Sequence, residues 1–509
     1  MRLAPSSVIS RDELVAGMRA LVRDAAWVSL TGALSGGVVL VAFALHLGAG
    51  PLEIGLLGAI PFIAQAAQLP AIMLVERVRQ RKRIGVNVVL LARLLILLLA
   101  LLPFVPSTHS PVALLIGAQA MISTLGSIGA CAINSWFHQL LLSEALGTFF
   151  AKRLLVATVL GGAATLAVGW LVDHPPWGDP IHAYAIAFAV AGVAGFVSAF
   201  YLARCPEPRM EDAGPPATLR DKLRAPLSDP NFRGLLVLLG AWNLASNIVA
   251  PFLTVYLMQQ LNYGLSTVTL LWVASQSANA LTLYLWGRLS DRLSNKAILA
   301  VALPVYFACT LGLVFARSGE TYGLQLPLLY LVHVLMGAAS GGIGLATGNL
   351  GLKLAPRGQG TPYLAAVGLA SAVAGGVAPL LGGAIARWFT ESRLSVVARW
   401  ESPYRVGEVS VLAFAHWEFL FALSALLGLY VMHALSRIRE GDEISERVVI
   451  QEFGLEALRT VNQLSSIGGA LGGLFTFGRL SERRMRPTPG GARERRRTPR
   501  PSAASRDAP

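Results

Sequence analysis

Apolar positions in this chain gather into long unbroken runs rather than alternating with polar ones. Twelve runs stand at 25–48, 52–75, 85–104, 111–135, 152–173, 181–203, 234–258, 265–286, 297–316, 326–350, 362–388 and 411–435. About twenty helical residues cross roughly 30 Å of hydrocarbon. Continuous apolarity predicts helices, because barrel strands turn every second side chain to a polar lumen. The pattern therefore predicts an all-α membrane protein with twelve transmembrane helices. Composition agrees: 14% of residues are charged, against about 25% in soluble proteins.

The polar landmarks nearly repeat at a shift of 215 residues. Ala26-Trp27 becomes Ala241-Trp242, Glu76-Arg77 becomes Asp291-Arg292, and Arg81 becomes Lys296. Gly126, Ile128, Gly129 and Asn134 become Gly341, Ile343, Gly344 and Asn349. One shift linking three separated landmarks predicts two parallel six-helix halves, a pattern of secondary transporters. The predicted organisation is an N-terminal cytoplasmic segment 1–24, a six-helix bundle 25–203, a linker 204–233, a second bundle 234–436 and a tail 437–509. Residues Asp12 to Val22 read as an interfacial amphipathic helix, and the start carries no cleavable signal pattern. The tail reads as amphipathic around Val448–Val461 and disordered over 482–509, which is rich in Arg, Pro, Gly and Ser.

Charge fixes orientation. One set of loops holds Arg77, Arg79, Arg81, Lys82 and Arg83, then Lys152, Arg153, Arg204, Arg209, Arg288, Arg292, Lys296 and Lys353. Most opposite loops hold no Lys or Arg, though Arg317 and the group Arg387, Arg393, Arg399 and Arg405 depart from this. The positive-inside rule predicts that both termini and the linker are cytoplasmic, in a bacterial inner membrane. The net charge of +14 follows from the same distribution, since 14 of 42 basic residues lie in the last 73. Anionic lipid is the partner this predicts, not nucleic acid. Three scattered cysteines form no metal or disulfide pattern, and no phosphate-binding Gly-Lys-Ser loop appears. No enzyme, cofactor or metal is predicted, and the expected state is a monomer.

Gly287-Arg288-Leu289-Ser290-Asp291-Arg292-Leu293-Ser294-Asn295-Lys296 resembles the loop signature of the major facilitator superfamily between helices 8 and 9. The first-half copy keeps Leu74, Glu76, Arg77 and Arg81, with Ile72 in place of the glycine. The resemblance implies rocker-switch alternating access, with Glu76, Arg77, Gly287, Asp291 and Arg292 at the conformational switch. Ala374 to Gly383 is similar to a glycine-rich stretch of the family's drug antiporters, but lies in helix 11 rather than 5. Close helix packing explains those glycines better than antiport.

The resemblance also implies that helices 1, 4, 7 and 10 line a central cavity. Those helices own polar stripes at helical spacing. They are Trp27, Thr31 and Ser35; Gln119, Ser123 and Ser127; Trp242, Asn243 and Asn247; and His333 and Ser340. Gln65 in helix 2 and Gln276 in helix 8 extend the set. Amides in hydrocarbon need partners or water, so these residues are expected at the substrate cavity. His333 suits either proton coupling or a structural hydrogen bond. No acid is expected centrally in a span, while Arg93 is the one basic residue inside one. The expected function is transport of a small organic solute, with or without a coupled proton. The alternative is a transporter-shaped sensor or assembly factor that uses the tail.

Overall fold

The computed structural model describes residues 5–6, 9–105, 110–140, 146–210, 225–290, 294–316, 323–356, 360–402, 405–440 and 450–453. Twelve long helical segments succeed one another. They are α1 (Arg11–His46), α2 (Pro51–Val78), α3 (Arg81–Leu99), α4 (Pro111–Leu140), α5 (Leu146–Asp173) and α6 (Pro180–Ala203), followed by α7 (Pro230–Gln260), α8 (Leu265–Ser290), α9 (Asn295–Gly312), α10 (Gln325–Lys353), α11 (Gly360–Trp388) and α12 (Glu418–Ser436). Ten are long and apolar enough to cross a membrane by composition; α3 and α8 are outside that set. Arg81, Lys82, Arg83 and Arg93 charge α3, and α8 is rich in Ser, Thr, Gln and Asn.

Packing repeats as the sequence does. Helix α1 packs on α5 and α6, and α3 packs on α4 and α6. In the second half α7 packs on α11 and α12, and α9 on α10 and α12. Two large contacts join the halves, α2 with α11 and α5 with α8, beside smaller ones of α1 and α2 with α7 and of α1 with α8. Under the 215-residue shift α2 maps to α8 and α5 to α11, so the two joints are one contact made twice.

The ends of the molecule differ. One end carries the N-terminal segment, the α2–α3 turn and the start of the linker, and is called the linker end here. At the far end one apolar cluster spans both halves, including Phe43, Ile54, Leu57, Phe252, Val255 and Trp417. There Gly55 of α2 faces Pro379 and Gly383 of α11, and Gly169 of α5 faces Leu265, Ser266 and Thr269 of α8. A side chain at either glycine would fill the contact, so these glycines set the approach of the helices. Toward the linker end these helices expose apolar side chains. Leu69, Met73 and Leu74 of α2 are exposed, as are Leu155 of α5 and Leu281 of α8.

Two features depart from the sequence reading. The N-terminal helix is continuous with the first span and does not lie alone in an interface. Ser10 caps it reciprocally with Glu13, accepting the Glu13 N–H at 3.2 Å while its own N–H donates to the Glu13 carboxylate at 2.9 Å. Its face Gly17–Leu21 is buried against Cys205 and Pro206 of the linker. The last far-end loop folds into an antiparallel hairpin, β1 (Arg393–Ser402) with β2 (Arg405–Ala415). The expected tail amphipathic helix and disordered end fall almost wholly outside the described residues.

Candidate functional site

The membrane helices are interrupted at corresponding places in the two halves. Helix α1 breaks at Gly36, which is extended (φ −133°), and resumes at Gly37 with φ +51°. Helix α7 breaks after Asn247 and resumes at Ala250-Pro251. Gly36 and Pro251 are 215 residues apart. Proline lacks an N–H, so the Asn247 carbonyl loses its helical donor. Breaks within about one turn of each other in two repeats mark the region where transporters bind their solute.

A chamber of about 310 Å³ lies at the α1 break. Its walls are Ser29, Gly32, Ala33, Gly36 and Gly37 of α1, Thr158, Gly161, Gly162 and Thr165 of α5, and Trp272, Gln276 and Ser277 of α8. The glycines leave floor space while Ser29, Thr158 and Gln276 supply polar groups. Through Leu154, Ala157, Thr158 and Ser277 it continues into a larger chamber of about 1080 Å³ nearer the linker end.

Of the sequence-selected residues, Gln276 lines this chamber. Thr31 does not: it is buried, and its hydroxyl sits 3.0 Å from the Ala191 carbonyl of α6 and 3.1 Å from that of Trp27. Ser35 donates to the Thr31 carbonyl at 2.8 Å. Trp242 turns into its own bundle, edge-on to Tyr306 at 4.8 Å and Phe307 at 5.8 Å. Ser246 donates to the Trp242 carbonyl, as Thr31 does to that of Trp27. The stripe shared by the halves is therefore bundle scaffold, apart from Trp27, whose ring is exposed. On α1 the chamber wall is the adjacent stripe Ser29–Gly32–Ala33–Gly36.

Asn243 and Asn247 are half-buried and donate to the Leu239 and Asn243 carbonyls at 2.8 and 2.9 Å. They stand where the repeat places Val28 and Gly32, both chamber residues in the first half. His333 is buried, with Nδ1 2.8 Å from the Leu329 carbonyl. A carbonyl only accepts, so Nδ1 carries a proton and serves a structural bond. Gln65, Gln119, Ser123, Ser127 and Ser340 are half-buried on α2, α4 and α10, outside the two chambers. Glu76 and Arg77 are exposed on the last turn of α2, and nothing crowds Gly287. Asp291 and Arg292 lie outside the described residues.

Sequence reasoning missed a buried charged group at the linker end of the first bundle. Asp24 of α1 accepts from Ser198 of α6 at 2.7 Å and lies 3.6 Å from Arg153 of α5. It also faces Arg93, which crosses over Gly195 of α6. Asp24 falls in the segment 1–24 that the sequence reads as cytoplasmic, and only the tertiary fold shows that α1 begins at Arg11 and carries it inward.

Two further carboxylates anchor the helix starts. Glu207, after α6, accepts from the Arg81 amide at 2.7 Å, and Arg81 reaches Gln139 at 2.7 Å and the Pro208 carbonyl at 2.8 Å. Glu440, after α12, accepts from the amides of Asn295 and Lys296 at 3.1 and 2.6 Å and pairs with Lys353 at 3.1 Å. Burial holds Glu207 above the usual glutamate range. At Glu440 burial acts in the same direction, but the amides and Lys353 outweigh it and hold the acid below that range.

Two parallel helical halves, broken helices at neighbouring positions and an intervening chamber with Ser29, Thr158 and Gln276 in its wall define a multi-pass membrane transporter fold. The sequence profile of the Major Facilitator Superfamily matches residues 25–379, and the chain belongs to that family. Solved structures agree on the fold. The chain is similar to the nucleoside transporter NupG (13% identity, TM-score 0.57, covering 84% of this chain and 98% of that one). It is also similar to a D-xylose-proton symporter (12%, 0.58, 84% and 98%). A bacterial homolog of the human lysosomal transporter Spinster, inward-facing and unoccupied, matches at 14% identity and TM-score 0.57 over 88% and 98%. No curated protein sequence matches the chain.

Proposed function

We propose that this protein moves a small organic solute across the membrane by alternating access, and that the described state is closed at the far end and open at the linker end. The observation that carries this is a contrast between the two ends of the joints α2–α11 and α5–α8. Both pairs touch through glycines at one end and expose apolar side chains toward the other. We place the termini and linker in the cytoplasm, because the basic loops share their end of the bundle. The state is then inward-open, and solute binds at the chambers beside the α1 break. Reporter fusions after Leu202 and Leu435 should both read cytoplasmic; a periplasmic signal at either reverses the orientation.

The mechanism is tested with spin labels at Leu155 and Leu281 on the linker end, in a background lacking Cys131, Cys205 and Cys309. A bound solute should add a shorter inter-label distance, and purified protein in liposomes should carry that solute. One fixed distance with every solute that binds would leave a static membrane protein and remove the transport reading.

A further inference from the structure

The smaller chamber is polar in only one of the two repeats. Thr158 of α5 and Trp272, Gln276 and Ser277 of α8 line it, and none of these side chains has a hydrogen-bond partner among the described residues. Thr165, farther along α5, instead satisfies itself on the Gly161 carbonyl at 2.9 Å, as Thr282 of α8 does on that of Ala278 at 2.7 Å. The other half lacks this set. At the 215-residue shift Ser29 and Thr158 become Leu244 and Val373, while Trp272, Gln276 and Ser277 correspond to Leu57, Pro61 and Phe62. Leu244 and Val373, with Leu369 and Val377, line an apolar cavity of about 520 Å³ between α7 and α11. Apolar residues therefore serve the scaffold at these positions, and the polar groups answer another need. Water can meet them while the chamber is open. Once closure excludes water, unmet hydroxyl and amide groups are costly, so the solute must supply their partners.

No charged side chain is among the described residues lining this chamber, so a charged solute would be enclosed without a counter-ion. Hydroxyl groups both donate and accept, which suits Thr158, Gln276 and Ser277 together. Trp272 offers an N–H donor and an apolar ring. A cavity of about 310 Å³ lies at the small end of ligand sites. We propose that this chamber binds a small, uncharged, polyhydroxylated solute, its hydroxyl edge on Thr158, Gln276 and Ser277 and its hydrocarbon face toward Trp272 and the glycines of α1. The inference rests on the transporter reading and narrows its solute class.

The test uses full-length protein in lipid nanodiscs, lacking Cys131, Cys205 and Cys309 and carrying Ala33→Cys in the chamber wall. The neutral probes are D-glucose, D-ribose, myo-inositol and uridine. Glucuronate and N-methylglucamine carry a negative and a positive charge beside their hydroxyl groups. At least one neutral probe should raise the Tm saturably and slow thiol labelling of that cysteine, and the charged probes should do neither. Thr158→Val, the residue found in the other half, should weaken the effective probe about fivefold, and Gln276→Leu should act alike. Val373→Thr, the reverse exchange in the apolar cavity, should leave its affinity unchanged. Gly32→Leu enters open space beside α1 and should abolish both effects in a protein that still folds, because leucine favours a helix over glycine. Unchanged affinity in folded Thr158→Val and Gln276→Leu would overturn the proposal. So would silence from every neutral probe, or equal protection by glucuronate or N-methylglucamine. If a charged or apolar solute moves the labels at Leu155 and Leu281 instead, the neutral class alone has failed. If no solute moves them, the transport reading has failed with it.

Discussion

Asp173 shows how one side chain joins the halves. It ends α5, yet its carboxylate accepts from the amides of Leu265 and Ser266 at the start of α8, at 2.9 and 2.7 Å, and from the Ser266 hydroxyl. An acid at a helix N-terminus gains about 0.3–1 kcal/mol, and up to about 2 when partly buried. The contact exists only while the far end is closed, so it favours the state described here. Asp173→Asn should keep the fold but shift the population toward far-end opening, by roughly tenfold for a loss of about 1.4 kcal/mol. Labels across the far ends of α5 and α8 read the shift, and an unchanged distance distribution removes Asp173 from the gate. The loop signature at the other end predicts the opposite sign for Asp291→Asn, a population moved away from linker-end closure.

Among elements, the breaks and the caps set how the helices move. Pro251 removes the helical donor of the Asn247 carbonyl and packs on Gly58 of α2. Pro251→Ala restores the N–H and should straighten α7. Pro251 stands in the first turn of its segment, where proline is tolerated, so the Tm should change little while the transport rate falls. An unchanged rate would make the break incidental.

The two caps answer acid in opposite senses. Glu440 has its folded pKa below its ordinary 4.5. Its stabilisation is present above that value and is lost as pH falls through the folded pKa. Glu207 has its folded pKa raised from 4.5. Its protonation-linked contribution is full below 4.5 and declines as pH rises through the folded pKa. Hydrogen exchange at the start of α9 should therefore quicken as pH drops below about 4.5, while the start of α3 should not. Parallel behaviour of the two sites would contradict this. Glu440→Ala should cost about 1–3 kcal/mol through its lost amide bonds.

On the scale of the molecule, closure is a property of two equivalent joints acting together. A disulfide between cysteines placed at Asp173 and Ser266 should hold the far end shut. Transport in liposomes should stop on oxidation and return on reduction. Continued flux through the cross-linked protein would mean that the far end need not open.

The sequence by itself determined the membrane class, the twelve spans, the two-fold repeat and the family, because run length, charge density and a 215-residue shift are one-dimensional quantities. The breaks at Gly36 and before Pro251 emerged only in the structure, since the apolar runs pass through both unbroken. Nor did the sequence decide which face of a helix meets the chamber. Thr31 and Ser29 are two residues apart on α1, yet one bonds across to α6 and the other lines the chamber. Periodicity reports that a polar stripe exists but not its rotation about the helix axis, which the neighbouring helices set. Asp24 was likewise legible only as an acid near a span. Its place beside Arg93, Arg153 and Ser198 required α3, α5 and α6 to converge on it, and that convergence is tertiary packing alone.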